Sequence, residues 1–177
     1  MNETTHIPVA ASGVRWLWIA AAVIVIDQLS KLWIQGSMAL YESIEVLSVL
    51  NIYHTFNTGA AWSFLAHADG WQRWMFSALA IGVSAGLVVW LRRLPLAQHA
   101  LLITGLTLIV GGAIGNLIDR LYLGHVIDFI LVHWGNSYFP AFNVADSAIS
   151  VGAALVIFDS LRDAVRERRA RAAGTDS

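Results

Sequence analysis

Two aspartates, Asp128 and Asp146, are the residues of this chain whose type and setting best suit chemistry. Asp146 lies in Phe139-Pro-Ala-Phe-Asn-Val-Ala-Asp-Ser-Ala-Ile-Ser150, which opens a long apolar run. A carboxylate at a bilayer centre costs about 2.5–3.5 kcal/mol on insertion scales, which marks such a residue as a functional candidate. Asn143, three residues earlier, shares its helical face. Pro140 suits a first helical turn, since its missing N–H would be unpaired there anyway. A helix starting at Pro140 carries Asp146 roughly 9 Å inwards. Asp128 lies upstream in Val126-Ile-Asp-Phe129. Two carboxylates held close cannot both ionise readily, so they share a proton. The ionised member can then take a proton from water, while the protonated one polarises a carbonyl or protonates a leaving amine. That chemistry hydrolyses a peptide bond without a metal. The residue types alone leave a plainer alternative open: a loop carboxylate beside a polar helix start.

Three further clusters stand near the pair. In Gly111-Gly-Ala-Ile-Gly-Asn-Leu-Ile-Asp-Arg120, Asn116, Asp119 and Arg120 fall on one helical face, and a structural role outweighs a catalytic one. Gly111 and Gly115 form a G-x-x-x-G that lets a second helix approach closely. Asn57-Thr-Gly-Ala-Ala-Trp-Ser-Phe64 offers Asn57 as a donor to a substrate carbonyl or, more simply, as a turn residue. Asp27 and Lys31 are four apart, acid first, the favourable order for a helical ion pair inside a bundle. Other patterns point away from chemistry. Gly82-Val-Ser-Ala-Gly86 matches G-x-S-x-G but sits in a helical stretch, where it reads as a helix-packing site rather than a nucleophile elbow. The histidines at 54, 67, 99, 125 and 133 lack a metal-binding spacing such as H-E-x-x-H.

The elements that must position these residues follow from composition. Of 177 residues, 57% are hydrophobic and 13% charged, against about 25% charged in soluble domains. With a mean hydropathy of +0.62, this is the balance of a membrane protein. A net charge of −1 gives no bulk attraction to nucleic acid, and the absence of cysteine excludes disulfides and thiolate chemistry. Eight tryptophans suit interfacial belts. Apolar runs predict spans at Val14 to Ile34, Trp71 to Leu91, Gln98 to Leu117 and Pro140 to Leu161. The first continues in helical register through Asp27 to Ile34, which separates it from a cleaved secretory signal. Residues 36–70 are rich in β-formers punctuated by Gly36, Asn57 and Gly59, and predict short antiparallel strands at the membrane surface. Arg120 to Phe139 reads as a loop.

Arg92, Arg93 and the five arginines of tail 162–177 place both termini and the middle connection in the cytoplasm. Asp27, Lys31, Asn57, Asn116, Asp119, Arg120, Asp128, Asn143 and Asp146 then gather at one depth, near the outer surface. The tail could also touch anionic lipid.

Asp27-Gln-Leu-Ser-Lys31, Asn57-Thr-Gly-Ala-Ala-Trp62, Gly111 to Arg120, Val126-Ile-Asp-Phe129 and Phe142-Asn-Val-Ala-Asp146 occur in the order found in the bacterial lipoprotein signal peptidases, or signal peptidase II. Over about Asp27 to Ser150 the chain resembles that family. The resemblance implies an all-α polytopic membrane protein: one integral domain of four transmembrane helices with a small antiparallel β-cradle on the outer surface. It implies an aspartic endopeptidase of the bacterial cytoplasmic membrane that cuts diacylglyceryl-modified prolipoproteins just before the lipidated cysteine of the lipobox. Asp128 and Asp146 are then the catalytic pair. Asp27, Lys31, Asn57, Gly112, Asn116, Asp119, Arg120 and Asn143 bind substrate or support the site. Membrane lipids and globomycin-type inhibitors are the other expected partners, and no metal or cofactor is required. Two other classes compete with this reading. An ion-relaying transporter needs polar groups across the whole membrane, and here one half of the spans is nearly bare. A lipid-binding scaffold has no use for Asp128 and Asp146 together.

Overall fold

The structure is a computed structural model and describes residues 7–59 and 70–174. The part of the Asn57 motif beyond Gly59, with His67 and Asp69, lies outside the described residues. Four helices are long and apolar enough to cross a membrane. They are α1 (Leu17–Ser37), α2 (Trp71–Arg93), α3 (Ala100–Tyr122) and α4 (Val144–Gly174). Two hairpins accompany them: β1 (Ser43–Leu47) with β2 (Leu50–Asn57), between α1 and α2, and β3 (Val126–Trp134) with β4 (Ser137–Tyr138), between α3 and α4.

Helix α3 is the axis of the bundle. In its span window 56% of the residues are buried, against 28% or less in the other three, and α1, α2 and α4 all pack on it. Its glycines explain how. A Cβ on Gly105 would lie 2.8 Å from the Gly152 carbonyl oxygen of α4. One on Gly111 would lie 2.9 Å from the backbone of Ala20 in α1, and one on Gly115 would lie 2.8 Å from Asp27 Oδ2. One on Gly112 would overlap the Ala145 carbonyl. These contacts bring three backbones together, as small residues do between helices in lipid. The outer faces of the other helices keep Trp18, Leu29, Trp33, Leu79, Ile157 and Phe158 exposed, as expected of surface that meets lipid tails. Gly82 and Gly86 differ from the α3 glycines. A side chain at either would meet nothing within 4 Å among the described residues, so the expected packing site on α2 is not formed.

The four strands form one antiparallel sheet in the order β1-β2-β3-β4. Strands were expected only between α1 and α2. Half of the sheet comes instead from the stretch read as a loop. Gly124, at φ +85, turns the chain out of α3. Val126 to Phe129 then run buried beside β2, and Ile127 and Phe129 pack with Ile34 and Met38 of α1. The β3–β4 turn is the two residues Gly135 and Asn136, and the φ of +56 at Gly135 fits a hairpin turn with glycine first.

A second correction concerns the start of the fourth helix. Pro140 does not open it. Phe142 is extended and bridges Ile130, exchanging N–H···O bonds of 2.8 and 3.0 Å, so the chain lies along β3 until Asn143. The helix begins at Val144 and continues through the arginine segment to Gly174. Asp146 is thus in the first turn rather than the second.

At the end of the bundle away from the sheet, residues 7–16 form a strap. Gly13 N–H donates to the Leu94 carbonyl and Leu96 N–H to that of Ala11, while Arg92 Nη1 donates to the Ile7 carbonyl. Beneath the strap Leu91, Leu94, Ile103 and Leu106 form a buried apolar cluster.

Candidate active site

Helix α4 needs acceptors for the free N–H groups of its first turn. Asn143 caps it, with Asp146 N–H donating to Asn143 Oδ1 at 2.9 Å and Asn143 N–H to Asp146 Oδ2 at 3.2 Å. This reciprocal pair is a capping box with an aspartate in the usual glutamate position. Ala145 N–H donates to Asp27 Oδ1 of α1 at 2.9 Å. Asp146 is therefore fixed by its own helix start, and its remaining oxygen accepts from Asn116 Nδ2 at 2.7 Å.

Asp128 is reached from the other side of the same asparagine. Asn143 Nδ2 donates to Asp128 Oδ1 at 2.8 Å, and Asn57 Nδ2 donates to Asp128 Oδ2 at 3.0 Å. One residue, Asn143, thus bonds to both carboxylates. The cause is the Phe142–Ile130 bridge, which lays the α4 approach beside β3. Burial and the nearby charge of Asp146 push the Asp128 carboxyl up to about 7, against the opposing hydrogen bonds from Asn57 and Asn143 and the charge of Lys31. A group poised near neutrality can hold or release a proton at working pH.

Behind the pair lies a buried ion cluster. Lys31 Nζ is 2.8 Å from Asp27 Oδ2, 2.9 Å from Asp119 Oδ2 and 2.9 Å from Asn116 Oδ1. An ammonium has three donors, and each has an acceptor here. Asp119 Oδ2 also accepts the N–H of Ile127, the residue before Asp128, at 3.2 Å. The cluster so ties α1, α3, β3 and the first turn of α4 into one unit.

Asn116, Asp119 and Arg120 were expected on one face; Asn116 and Asp119 share Lys31, while Arg120 reaches Gly59. Asn116 meets Asp146 and Lys31, and Asp119 turns to α1 and β3. Arg120 donates to the Gly59 carbonyl at 3.2 Å and lies over the Phe76 ring of α2. Asn57 was read as a donor to substrate or as a turn residue. Its Nδ2 is committed to Asp128, while its Oδ1 accepts Gly59 N–H at 3.0 Å in an Asx turn. Gly112 touches no ionic group; its role is the close approach to Ala145. The residue that sequence reasoning missed is Gln28, whose amide contacts Asp27 and Asp119. Its position beside Asp27 and three before Lys31 was the available signal.

A cavity of about 650 Å³ leads to Asp146. Its walls are α2 (Phe76, Leu79, Val83) and α4 (Ile149, Val151), with Ile109 and Ala113 of α3 between them. Asn57, Asn116, Arg120 and Asp146 supply its polar end. It is an apolar groove between helices with the Asp146 carboxylate at one end.

Four apolar helices around a buried polar site, closed at one end by a small sheet, are the architecture of a multi-pass membrane protein. The family model described as Signal peptidase (SPase) II matches residues 19–162, and the chain belongs to that family. It is 54% identical over 149 residues to the lipoprotein signal peptidase of Shewanella halifaxensis, covering 84% of this chain and 87% of that one. It is 55% identical over 149 residues to the lipoprotein signal peptidase of Pseudomonas aeruginosa, covering 83% and 88%. A solved bacterial membrane enzyme superposes with a TM-score of 0.72 at 33% identity, over 83% of this chain and 87% of that one.

Proposed function

We propose that this chain is a single-domain aspartic endopeptidase of the bacterial cytoplasmic membrane. It removes the signal peptide from diacylglyceryl-modified prolipoproteins by cutting before the lipidated cysteine of the lipobox. The observation that carries this reading is the bonding of both Asp128 and Asp146 to Asn143, with Asp146 at the polar end of an apolar groove. The groove suits an apolar signal segment lying between α2 and α4, with the acyl chains left in the surrounding lipid. In this reading the sheet end faces outwards, Arg92, Arg93 and the α4 arginines lie at the opposite, cytoplasmic end, and the chain starts and finishes on the cytoplasmic side.

The reaction needs one proton on the pair. The ionised carboxylate takes a proton from a water held between Asp128 and Asp146, and the water oxygen adds to the scissile carbonyl. The protonated carboxyl gives its proton to the carbonyl oxygen. In the second step one carboxyl protonates the departing amine while the other takes a proton from a hydroxyl of the tetrahedral centre, and the C–N bond breaks. Asn57 and Asn143 hold the carboxylates in place throughout, and Arg120 offers its guanidinium at the polar end. Which aspartate carries the proton is a property of the pair. A globomycin-type inhibitor would fill the groove.

The test is a gel-shift assay of purified protein with a diacylglyceryl-modified prolipoprotein. The wild type is expected to cleave and Asp146→Asn to be inactive while still folded. Cleavage by both would remove Asp146 from the chemistry.

A further inference from the structure

Gln28 stands half-buried at the edge of the ion cluster. Its Nε2 lies 2.9 Å from Asp119 Oδ1, 3.2 Å from Asp27 Oδ2 and 3.2 Å from the Gly115 carbonyl oxygen. Two carboxylates there share one ammonium, which leaves a surplus negative charge inside the protein. The three Lys31 donors are already directed at Asp27, Asp119 and Asn116. Gln28 supplies further N–H donors, and unmatched charge in a dry interior is costly. Each carboxylate that Gln28 touches also holds one element of the site. Asp27 accepts the Ala145 N–H of α4, and Asp119 accepts the Ile127 N–H of β3. On its other side Gln28 lines a cavity of about 150 Å³ between α1, α3 and β3, which shares no lining residue with the groove.

We infer that Gln28 is a positioning residue for the proposed hydrolysis: its amide clamps Asp27 to Asp119 around Lys31, and so sets the α4 first turn against β3 and Asp146 against Asp128. The inference rests on Asp128 and Asp146 being the reacting pair. The plainer role for a half-buried glutamine is helix packing, and a near-isosteric methionine would preserve that.

The experiment measures kcat and KM from pH 5 to 9 for the full-length wild type, Gln28→Met, Gln28→Glu and Asp128→Asn, using the gel-shift assay. Gln28→Met is expected to lower kcat about tenfold with KM within about twofold, the low end for removing a supporting bond behind a reacting centre. Gln28→Glu keeps shape but donates a hydrogen bond only when protonated. Its optimum is expected to move to lower pH than the wild type's, a signature that packing alone does not produce. A Gln28→Met enzyme with wild-type kcat overturns the inference, as does a Gln28→Glu profile parallel to the wild type's. If Gln28→Met fails to fold, the Gln28→Glu profile decides. Failure of both to fold also overturns it, since Gln28 would then serve stability alone. An active Asp128→Asn would sink the underlying reading. Inactive Asp128→Asn beside normal Gln28 variants would sink only this inference.

Discussion

On its α1 side, helix α3 presents Gly111, Gly115 and Asp119, and nothing larger than a side chain intervenes between the helices. Backbones nearly touch at Ala20, and Lys31 is only 1% exposed among its acceptors. On its α2 side the same helix presents Ile109, Ala113, Asn116 and Arg120 to a cavity of about 650 Å³. There α2 lines the far wall of the cavity through Phe76, Leu79 and Val83 while still packing on α3 elsewhere along its length. The contrast separates two tasks. The tight side fixes the carboxylates, because an ion cluster stripped of water tolerates little movement without leaving a charge unpaired. The loose side leaves room for a substrate segment. A polar site inside an apolar protein needs both, a rigid back and an open front.

Breaking the chemistry should have the largest effect. Asp128→Asn is expected to lower kcat by about 1,000-fold in the cleavage assay, within the range for losing an acid–base group. Breaking the rigid back comes next. Lys31→Met leaves Asp27 and Asp119 buried without a counter-ion, and should cost about 3–5 kcal/mol in detergent unfolding measurements. Gly112→Ala pushes a methyl group into the Ala145 carbonyl and should cost about 1–3 kcal/mol while displacing the α4 first turn, visible as a lowered Tm and a lowered kcat.

The pH profile sharpens the comparison without a mutation. The Asp128 carboxyl is raised to about 7 from 3.8. The proposed hydrolysis uses one proton on the pair, so kcat should fall as pH rises through about 7, roughly tenfold per unit once both carboxylates are ionised. Stability follows the same sign. A raised carboxyl favours the fold fully below its unfolded value, and that contribution is lost as pH rises through the folded value. Thermal melts at pH 5 and pH 8 would check this. The smallest effect belongs to the exposed face of α2. Gly82→Ala, in the middle of α2 with nothing within 4 Å of the new methyl group among the described residues, should leave activity unchanged and stabilise by under about 1 kcal/mol.

Much of this protein follows from its sequence alone. Apolar runs of bilayer length specify four helices, because a chain in lipid must satisfy its backbone internally. Asp27, Lys31, Asn116, Asp119, Asp128, Asn143 and Asp146 stand out because charge and amide groups are costly in such runs unless they meet partners. The tertiary structure decided who meets whom. Residues 126–138 carry β-formers as well as turn residues, and only an available β2 edge makes them strands. Pro140 permits a helix start, but the pairing of Phe142 with Ile130 outcompetes it and delays the helix to Val144. That four-residue delay makes Asn143 a cap and puts it within reach of Asp128. Gly111 and Gly82 look alike in sequence, yet one touches a backbone and the other meets nothing among the described residues. Local sequence sets which groups each element carries. Their partners are set by how the elements pack, because an ion or amide in a dry interior is stable only where other elements bring it enough donors and acceptors.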